Sequence, residues 1–507
     1  MARSAYDAIV IGAGHNGLTL ATRLSRAGLS TLVLEAEAKV GGMSRTDAAP
    51  HAGFLHNPHA NLLSFIELMP LGDALAGAGL RTVWPRAQHG VAFADGRPPL
   101  ILHRPDARDL TIASLARYSP RDAATFGALT RAIDETGELL AQGMFAPAHR
   151  DWFVRQAQTL QAIAGPLGVS QNLGARSARA IIDELFETPE LRTLLYQLAV
   201  EFGVSLEDPG GDLGFLGVSL WIAGRWRVPI GGMQSVPNAL QKLARANGAE
   251  IALGTRVAAI ELAGGRAIGV RTARGEQIVA RRLVASSIGP APTLLGLVGA
   301  DRLSPAETAS LGAFAAAAPT TLASLVFCLR APPAYHSARW DPEINHCLHT
   351  VIGFETPDDV LEQVHGVQLG CLPEPGAAVR VNSLWDPSQA PAGFHVAGAD
   401  ILLPPPGELN EREWRVVRDN YADVFLQRWG AYAPGMSPAN VLASEALLAG
   451  DYERAMRFRE GTAQYRTEID GLYLCGASTY PGGGVHGACG HNAFTTIAED
   501  LALIDAG

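Results

Sequence analysis

The chain is short of cysteine, of net positive charge and of long apolar runs, and each shortage removes a class of protein. Five cysteines in 507 residues (Cys328, Cys347, Cys371, Cys475, Cys489) are scattered without paired spacing. A disulfide scaffold is therefore not expected, and a reducing cytoplasmic location is. Lys and Arg total 40 against 50 Asp and Glu, a net charge of −10, so the basic face that a nucleic-acid partner requires is missing. No apolar stretch approaches the roughly 18–20 residues of a membrane-crossing helix. Only Arg3 precedes the first apolar run, Ala8 to Ile11, which glycine ends after four residues, so no secretory signal is expected. Internal repeats are absent. What remains is a globular chain, 48% hydrophobic and 18% charged, long enough for two or three domains.

The informative features lie at the two ends. At the front, the strand-like Asp7–Ile11 runs into Gly12-Ala13-Gly14-His15-Asn16-Gly17, then into a helix pattern with Leu18, Ala21, Leu24 and Ala27 on one side. Leu32-Val33-Leu34 and the acid Glu35 follow. Each glycine has a separate task. Gly12 permits a tight turn, Gly14 lets backbone N–H groups approach a pyrophosphate, and Gly17 allows close helix–strand packing. The phosphate is expected at the helix N-terminus, where free N–H groups and the helix dipole favour negative charge. Glu35, with Ala36 beside it, stands where a carboxylate holds ribose hydroxyls. At the back, Gly471–Gly476 reads as a buried strand and leads into Gly482-Gly483-Gly484-Val485-His486-Gly487, after which a helix runs to Leu501. The dipole of that helix and the N–H groups of Val485 and His486 suit an anionic reduced flavin edge. One end alone implies a dinucleotide; the two together imply FAD stretched across the molecule.

A second glycine pair follows the acid, in Lys39-Val40-Gly41-Gly42-Met43-Ser44. Here the chain begins to resemble the phytoene-desaturase-like flavoproteins, the carotenoid dehydrogenase group related more distantly to monoamine oxidases. The resemblance continues at Pro229-Ile-Gly231-Gly232-Met233 before a helix, at Gly254-Thr255-Arg256-Val257, and most specifically at Leu472–Ala493. It implies that Gly41, Gly42, Met43 and Ser44 lie along the pyrophosphate and flavin, that the backbone at Val257 meets the adenine, and that Gly476, Gly484, Val485 and His486 border the flavin ring. Many relatives have arginine where this chain has Met43. The blocks cover the cofactor-binding portions only, so substrate identity does not carry over.

The expected fold is α/β: a discontinuous Rossmann-type FAD-binding domain, with a parallel sheet and crossover β segments (1–75, 220–300 and 460–507), plus an inserted α+β substrate domain with a helical region (76–219 and 301–459). Helices are expected over 121–145, 151–165, 177–203, 235–248, 305–318 and 408–430. Strands are expected at Val218–Ile222, Arg225–Val228, Glu250–Leu253, Arg256–Leu262, Ala267–Thr272, Gln277–Val279, Arg282–Ser286, 321–329 and 394–402, with Pro404–Gly407 as punctuation.

Catalytic candidates are fewer. His56 and His59 sit in Phe54-Leu-His-Asn-Pro-His-Ala60, which by resemblance passes the reacting face of the flavin; a neutral imidazole there can move a proton, and Pro58 favours His59. His486 either faces substrate or serves through its backbone, and Tyr480 either lines the pocket or caps its loop. Cys489 reads as a small residue in a packed helix rather than a flavin attachment. One arginine of Arg225-Trp226-Arg227 suits a substrate carboxylate. His336, His346, Cys347 and His349 match no zinc spacing, and no metal is expected. The expected activity is desaturation of a C–C bond in a small, largely apolar substrate, with oxygen or a quinone as electron acceptor because no second glycine-rich crossover serves NAD(P)H. Redox-neutral isomerisation or hydration, amine oxidation and a non-catalytic flavin-binding partner remain open. The segment Leu62–Ile66 is a candidate for transient membrane contact; the oligomeric state is left open.

Overall fold

A computed structural model describes residues 5–169, 172–316, 321–405, 407–448 and 465–503. Arg3, Pro406, the end of the helix expected over 305–318, and the 460–464 and 504–507 parts of the last cofactor-side piece lie outside the described residues.

Seven strands make the first sheet, and they come from three distant parts of the chain. Ala5–Ile11 is parallel to Thr31–Leu34 on one side and to Gln277–Ser286 on the other. The apolar run Ala8, Ile9, Val10 is fully buried because helices cover one sheet face and other segments the other. Thr31–Leu34 continues to Glu250–Ala252. The free edge of Gln277–Ser286 is shared: Arg266–Thr272 pairs antiparallel with its start and Leu472–Leu474 pairs parallel with its end. The hairpin turn at Ala263-Gly264-Gly265 joins Val257–Ala263 to Arg266–Thr272 as expected. Gln277–Ser286 is one strand rather than two.

The closing helix Ala488–Leu501 packs on the first helix His15–Arg26. A Cβ on Gly490 would collide with the Asn16 carbonyl oxygen, so only glycine fits at this crossing. The two ends of the chain thus close on one another. The carboxyl ends of Ala5–Ile11, Thr31–Leu34 and Leu472–Leu474 open on the same side of the sheet, bringing Gly12, Glu35 and Gly476 to one rim, the place where open α/β sheets bind ligands.

A second seven-stranded sheet, from Ala87–Val91, Leu100–His103, Thr321–Leu329, His349–Ile352, Ala377–Arg380, His395–Leu403 and Val441–Leu448, stands against the first unit. Helices Pro120–Asp134, Arg150–Ala164, Ala178–Leu185 and Pro189–Glu201 share one apolar core. The expected strands at 218–222 and 225–228 are not formed. Phe215–Ser219 is a wide helical turn continuing into Leu220–Ile222; of the second segment, Arg227 makes a single antiparallel bridge with Leu63 and Val228–Pro229 pairs with Thr82–Val83. Phe215, Leu216, Trp221 and Ile222 are buried, and a short apolar run enclosed on all sides has no periodicity to separate strand from helix. Leu62, Leu63 and Phe65 are likewise buried and Ile66 is half-buried, so the apolar side chains of this segment are turned mainly into the protein. Among the described residues no helix is long and apolar enough to cross a membrane.

Candidate flavin groove and substrate cavity

The groove begins at Gly12, whose φ of +92° makes the turn after the first strand. A Cβ on Gly17 would collide with the Gly12 carbonyl oxygen, and one on Gly12 would sit 2.5 Å from Ser287 Oγ. Ser287 itself donates to the Ile11 and Gly12 carbonyls. Sequence reasoning missed this serine, since its value lies in filling the space beside two glycines. Nothing lies within 4 Å of a Cβ built on Gly14. The N-terminus of helix His15–Arg26 therefore opens onto free space at the glycine of the first motif expected to meet a phosphate.

Around it the cradle is backbone. Gly41 donates to the Ala13 carbonyl and bridges Gly14, and Ser44 donates to the Gly41 carbonyl, with Gly42 and Met43 between them. Glu35 is buried; its carboxylate accepts from the backbone N–H of Ala13 at 2.7 Å and of Glu37 at 2.9 Å. It fixes the loop at the next strand end and keeps lone pairs for a further donor. Ala36 follows, and Thr255 donates to the Glu35 carbonyl, which brings the start of Val257–Ala263 to this rim. His15 Nε2, Asn16 Oδ1 and Ser44 Oγ are buried with no hydrogen-bond partner among the described residues.

The closing loop completes the groove. A Cβ on Gly476 would meet the Ser287 carbonyl, which makes the approach of the last strand to the first motif dependent on glycine. Gly484, at φ +124°, lies against the ring of His486. His486 uses both of its ring nitrogens within the protein. Its Nδ1 accepts from the Ala488 N–H at 3.0 Å, its Nε2 donates to the Gly483 carbonyl at 3.2 Å, and burial holds its pKa down at about 4. The ring caps the closing helix, beside Val485. Tyr480 is also spent on structure: its hydroxyl donates to the Gly143 carbonyl and its own carbonyl accepts from Tyr465. Cys489 is buried and donates to the Thr479 and Gly482 carbonyls. Arg225 is paired with Asp134 at 2.6 Å and is not available to a substrate carboxylate.

Next to the groove lies a cavity lined by His56, Asn57, Ser324, Arg380, Asn382 and Gln389. His56, rather than His59, belongs to its wall. Burial keeps both imidazoles below their usual pKa and so neutral near pH 7. His56 Nδ1, Asn57 Nδ2, Ser324 Oγ, Asn382 Oδ1 and Gln389 Oε1 are all buried without a partner among the described residues. So many orphaned polar atoms in one wall are expensive unless a ligand or water satisfies them. Arg380 is neutralised by Asp400, with contacts of 2.6 and 3.0 Å.

The link between the two units was not foreseen. Asp386, fully buried on the substrate side, accepts from the N–H groups of Gly231 and Gly232 at 2.9 Å each, and from Gln389. Asn57 Oδ1 accepts from the Met233 N–H and from Thr46. These contacts hold the Gly231-Gly232 step against the second glycine pair, and no local sequence signal announces them.

The segment holding His336, His346, Cys347 and His349 divides. His336–Arg339 and Pro342–His346 are short turns, and only His349 enters a strand. Its side chain turns towards His89 and Glu201, not towards His346 or Cys347.

Comparison with known proteins agrees with this architecture. One of the subunits of limonene dehydrogenase from Castellaniella defragrans is 27% identical over 98% of this chain and 95% of its own length. Phytoene desaturase (lycopene-forming) of Pseudescherichia vulneris is 25% identical over 97% of this chain and 99% of its own. An oxidoreductase structure from Methanosarcina mazei superposes with a TM-score of 0.62 at 18% identity, covering 97% of this chain and 99% of that one. The flavin-containing amine oxidoreductase family matches residues 17–326. With the glycine cradle, the acid at the strand end and the closing helix gathered at one sheet rim, this chain belongs to the family of flavin-containing amine oxidoreductases, on its phytoene-desaturase-like side.

Proposed function

We propose that the protein is an FAD-dependent oxidoreductase that desaturates a C–C bond in a substrate with a largely apolar body and one polar end. The observation that carries this reading is the adjacency of a backbone-lined groove, open at Gly14, to a cavity whose wall holds His56 and four more unpartnered polar groups. The relatives named for limonene and phytoene, both hydrocarbons, support the apolar body.

The groove residues fit FAD. Open space at Gly14 suits the pyrophosphate, Glu35 the ribose, and the orphaned His15 Nε2, Asn16 Oδ1 and Ser44 Oγ suit polar edges of a bound cofactor. Gly12, Gly17, Gly41, Gly42, Met43, Val257, Gly476, Gly484 and Val485 frame it. When bound, FAD supplies the hydride acceptor that no side chain provides. The chain's own residues do the rest. Asn57, Asn382 and Gln389 hydrogen-bond the substrate's polar end, and neutral His56 takes the proton from the carbon beside the one that loses hydride. Molecular oxygen or a quinone takes the electrons afterwards.

The test is an absorbance spectrum of purified protein, then anaerobic titration with apolar alkenes carrying a hydroxyl or carboxyl group. Flavin bleaching and a product two hydrogens lighter are expected. Absence of bound flavin would overturn the reading, and a product of unchanged or water-added mass would replace desaturation with redox-neutral chemistry.

A further inference from the structure

Three side chains outside the groove and its cavity wall converge on one point. His89 lies on strand Ala87–Val91 and His349 on the parallel strand His349–Ile352, directly opposite each other in register. Glu201 is the last residue of helix Pro189–Glu201, which ends above them. The separations are 3.0 Å from His89 Nε2 to His349 Nδ1, 3.1 Å from His349 Nδ1 to Glu201 Oε1, and 3.6 Å from His89 Nε2 to Glu201 Oε2.

Counting hydrogens shows what is missing. His89 Nδ1 lies 3.0 Å from the Ala223 carbonyl, which can only accept, so this nitrogen carries the proton and Nε2 presents a lone pair. His349 Nδ1 carries at most one hydrogen, for which His89 Nε2 and Glu201 Oε1 compete. Glu201 Oε2 is buried without a hydrogen-bond partner among the described residues. Lone pairs on two imidazoles and a carboxylate thus face each other with one hydrogen among them, an arrangement that asks for a cation.

We propose that His89 Nε2, His349 Nδ1 and Glu201 bind one first-row divalent metal ion. Bonds of about 2.1 Å place neighbouring donors of a four- to six-coordinate ion about 3.0–3.4 Å apart, and the observed separations already lie close to that span. Two imidazoles and a carboxylate are a donor set for zinc or ferrous iron rather than for magnesium or calcium. The bond from His89 Nδ1 to Ala223 is the outer contact that fixes a ligating imidazole in its tautomer. The helix ending at Glu201 directs its negative pole at the site. Trp226, edge-on to His349 and stacked on Phe202, walls the site in. Arg380 is a cation acting on Glu201 and His349, and Asp400 offsets it. The ligands come from three segments 112 and 148 residues apart (201 − 89; 349 − 201), which explains why no zinc spacing appears in the sequence.

The experiment uses full-length protein dialysed against chelator and titrated with zinc chloride, and anaerobically with ferrous sulfate, following stoichiometry by elemental analysis and stability by thermal melting. One equivalent bound, with a raised melting temperature, is the expected result. Affinity should fall about a hundredfold or more in His349→Gln and Glu201→Gln, each checked for folding by circular dichroism. Unaltered protein that takes up no ion at micromolar metal overturns the proposal and leaves the cluster sharing a proton. Stoichiometric binding that persists in either folded variant also overturns it. A negative result with the unaltered protein stands even if a variant fails to fold, one folded variant of the two suffices to locate the site, and neither reading depends on flavin content.

Discussion

The cofactor groove and the substrate side of this molecule are made of different atoms. The groove is backbone: glycines at positive φ, N–H groups at helix ends, and one acid, Glu35, whose visible partners are main-chain amides. The substrate side is side chain: His56, Asn382 and Gln389 around one cavity, and His89, His349 and Glu201 around another point, all brought together by sheet register and helix ends. A backbone site tolerates no added atoms, whereas a side-chain site tolerates changed shape but not changed chemistry.

Breaking the groove should therefore give the largest effects. Gly490→Val puts a branched side chain into the Asn16 main chain and is expected to abolish folding, seen as loss of the soluble protein and its cooperative melt; near-normal melting would show that the two end helices do not clasp as described. Gly14→Asp should separate folding from binding. The space beside Gly14 is open and an acid suits a helix N-terminus, so the variant is expected to fold, yet carry no flavin because its charge opposes the pyrophosphate. A yellow Gly14→Asp protein of normal occupancy would move the cofactor elsewhere.

The substrate side answers to kinetics. His56→Ala should keep its flavin but slow anaerobic flavin reduction by about a hundredfold, while His59→Ala, outside the cavity wall, should slow it less than about tenfold. The reverse ranking would return the proton-transfer role to the residue that Pro58 favours.

Acid should act on the groove more gently. His486 is held neutral at about 4 in the folded protein against 6.5 for the ordinary imidazole, so the unfolded chain takes up the proton first. Stability is full above pH 6.5 and declines as pH falls towards 4, by roughly 3 kcal/mol at most for this one ring. Denaturant midpoints measured from pH 7.5 to 4.5 should fall less steeply in His486→Gln; parallel curves would remove His486 as a contributor. The smallest change is Tyr480→Phe. It loses one hydrogen bond to the Gly143 carbonyl, worth about 1 kcal/mol, and should leave flavin reduction unaltered; a changed rate would put Tyr480 back among the substrate contacts.

Legibility follows the same division. Gly12, Gly14, Gly17, Glu35 and the closing glycine loop were readable because a tight turn, a helix N-terminus and a strand-end acid are local requirements with fixed spacing. Element types were readable where periodicity was long, as in Glu411–Tyr432 and Ala488–Leu501. They are misread at 218–222, where burial of nearly every residue erases the period. Ser287 and Asp386 went unnoticed because each serves glycines far away in the chain: Ser287 fills the space beside Gly12, and Asp386 binds the Gly231-Gly232 step. For His486 and Tyr480 the loop is legible and a structural role stands beside a substrate-facing one; their partners, such as the Gly143 carbonyl, leave no local mark.

By itself the sequence determined that two ends of the chain would build one nucleotide groove, since glycine positions and a strand-end carboxylate encode that geometry within a few residues. Only the tertiary structure decided which polar side chains share a wall. That depends on the pairing of Ala87–Val91 with His349–Ile352 and on where helix Pro189–Glu201 stops, contacts between segments more than a hundred residues apart that leave no mark on local spacing.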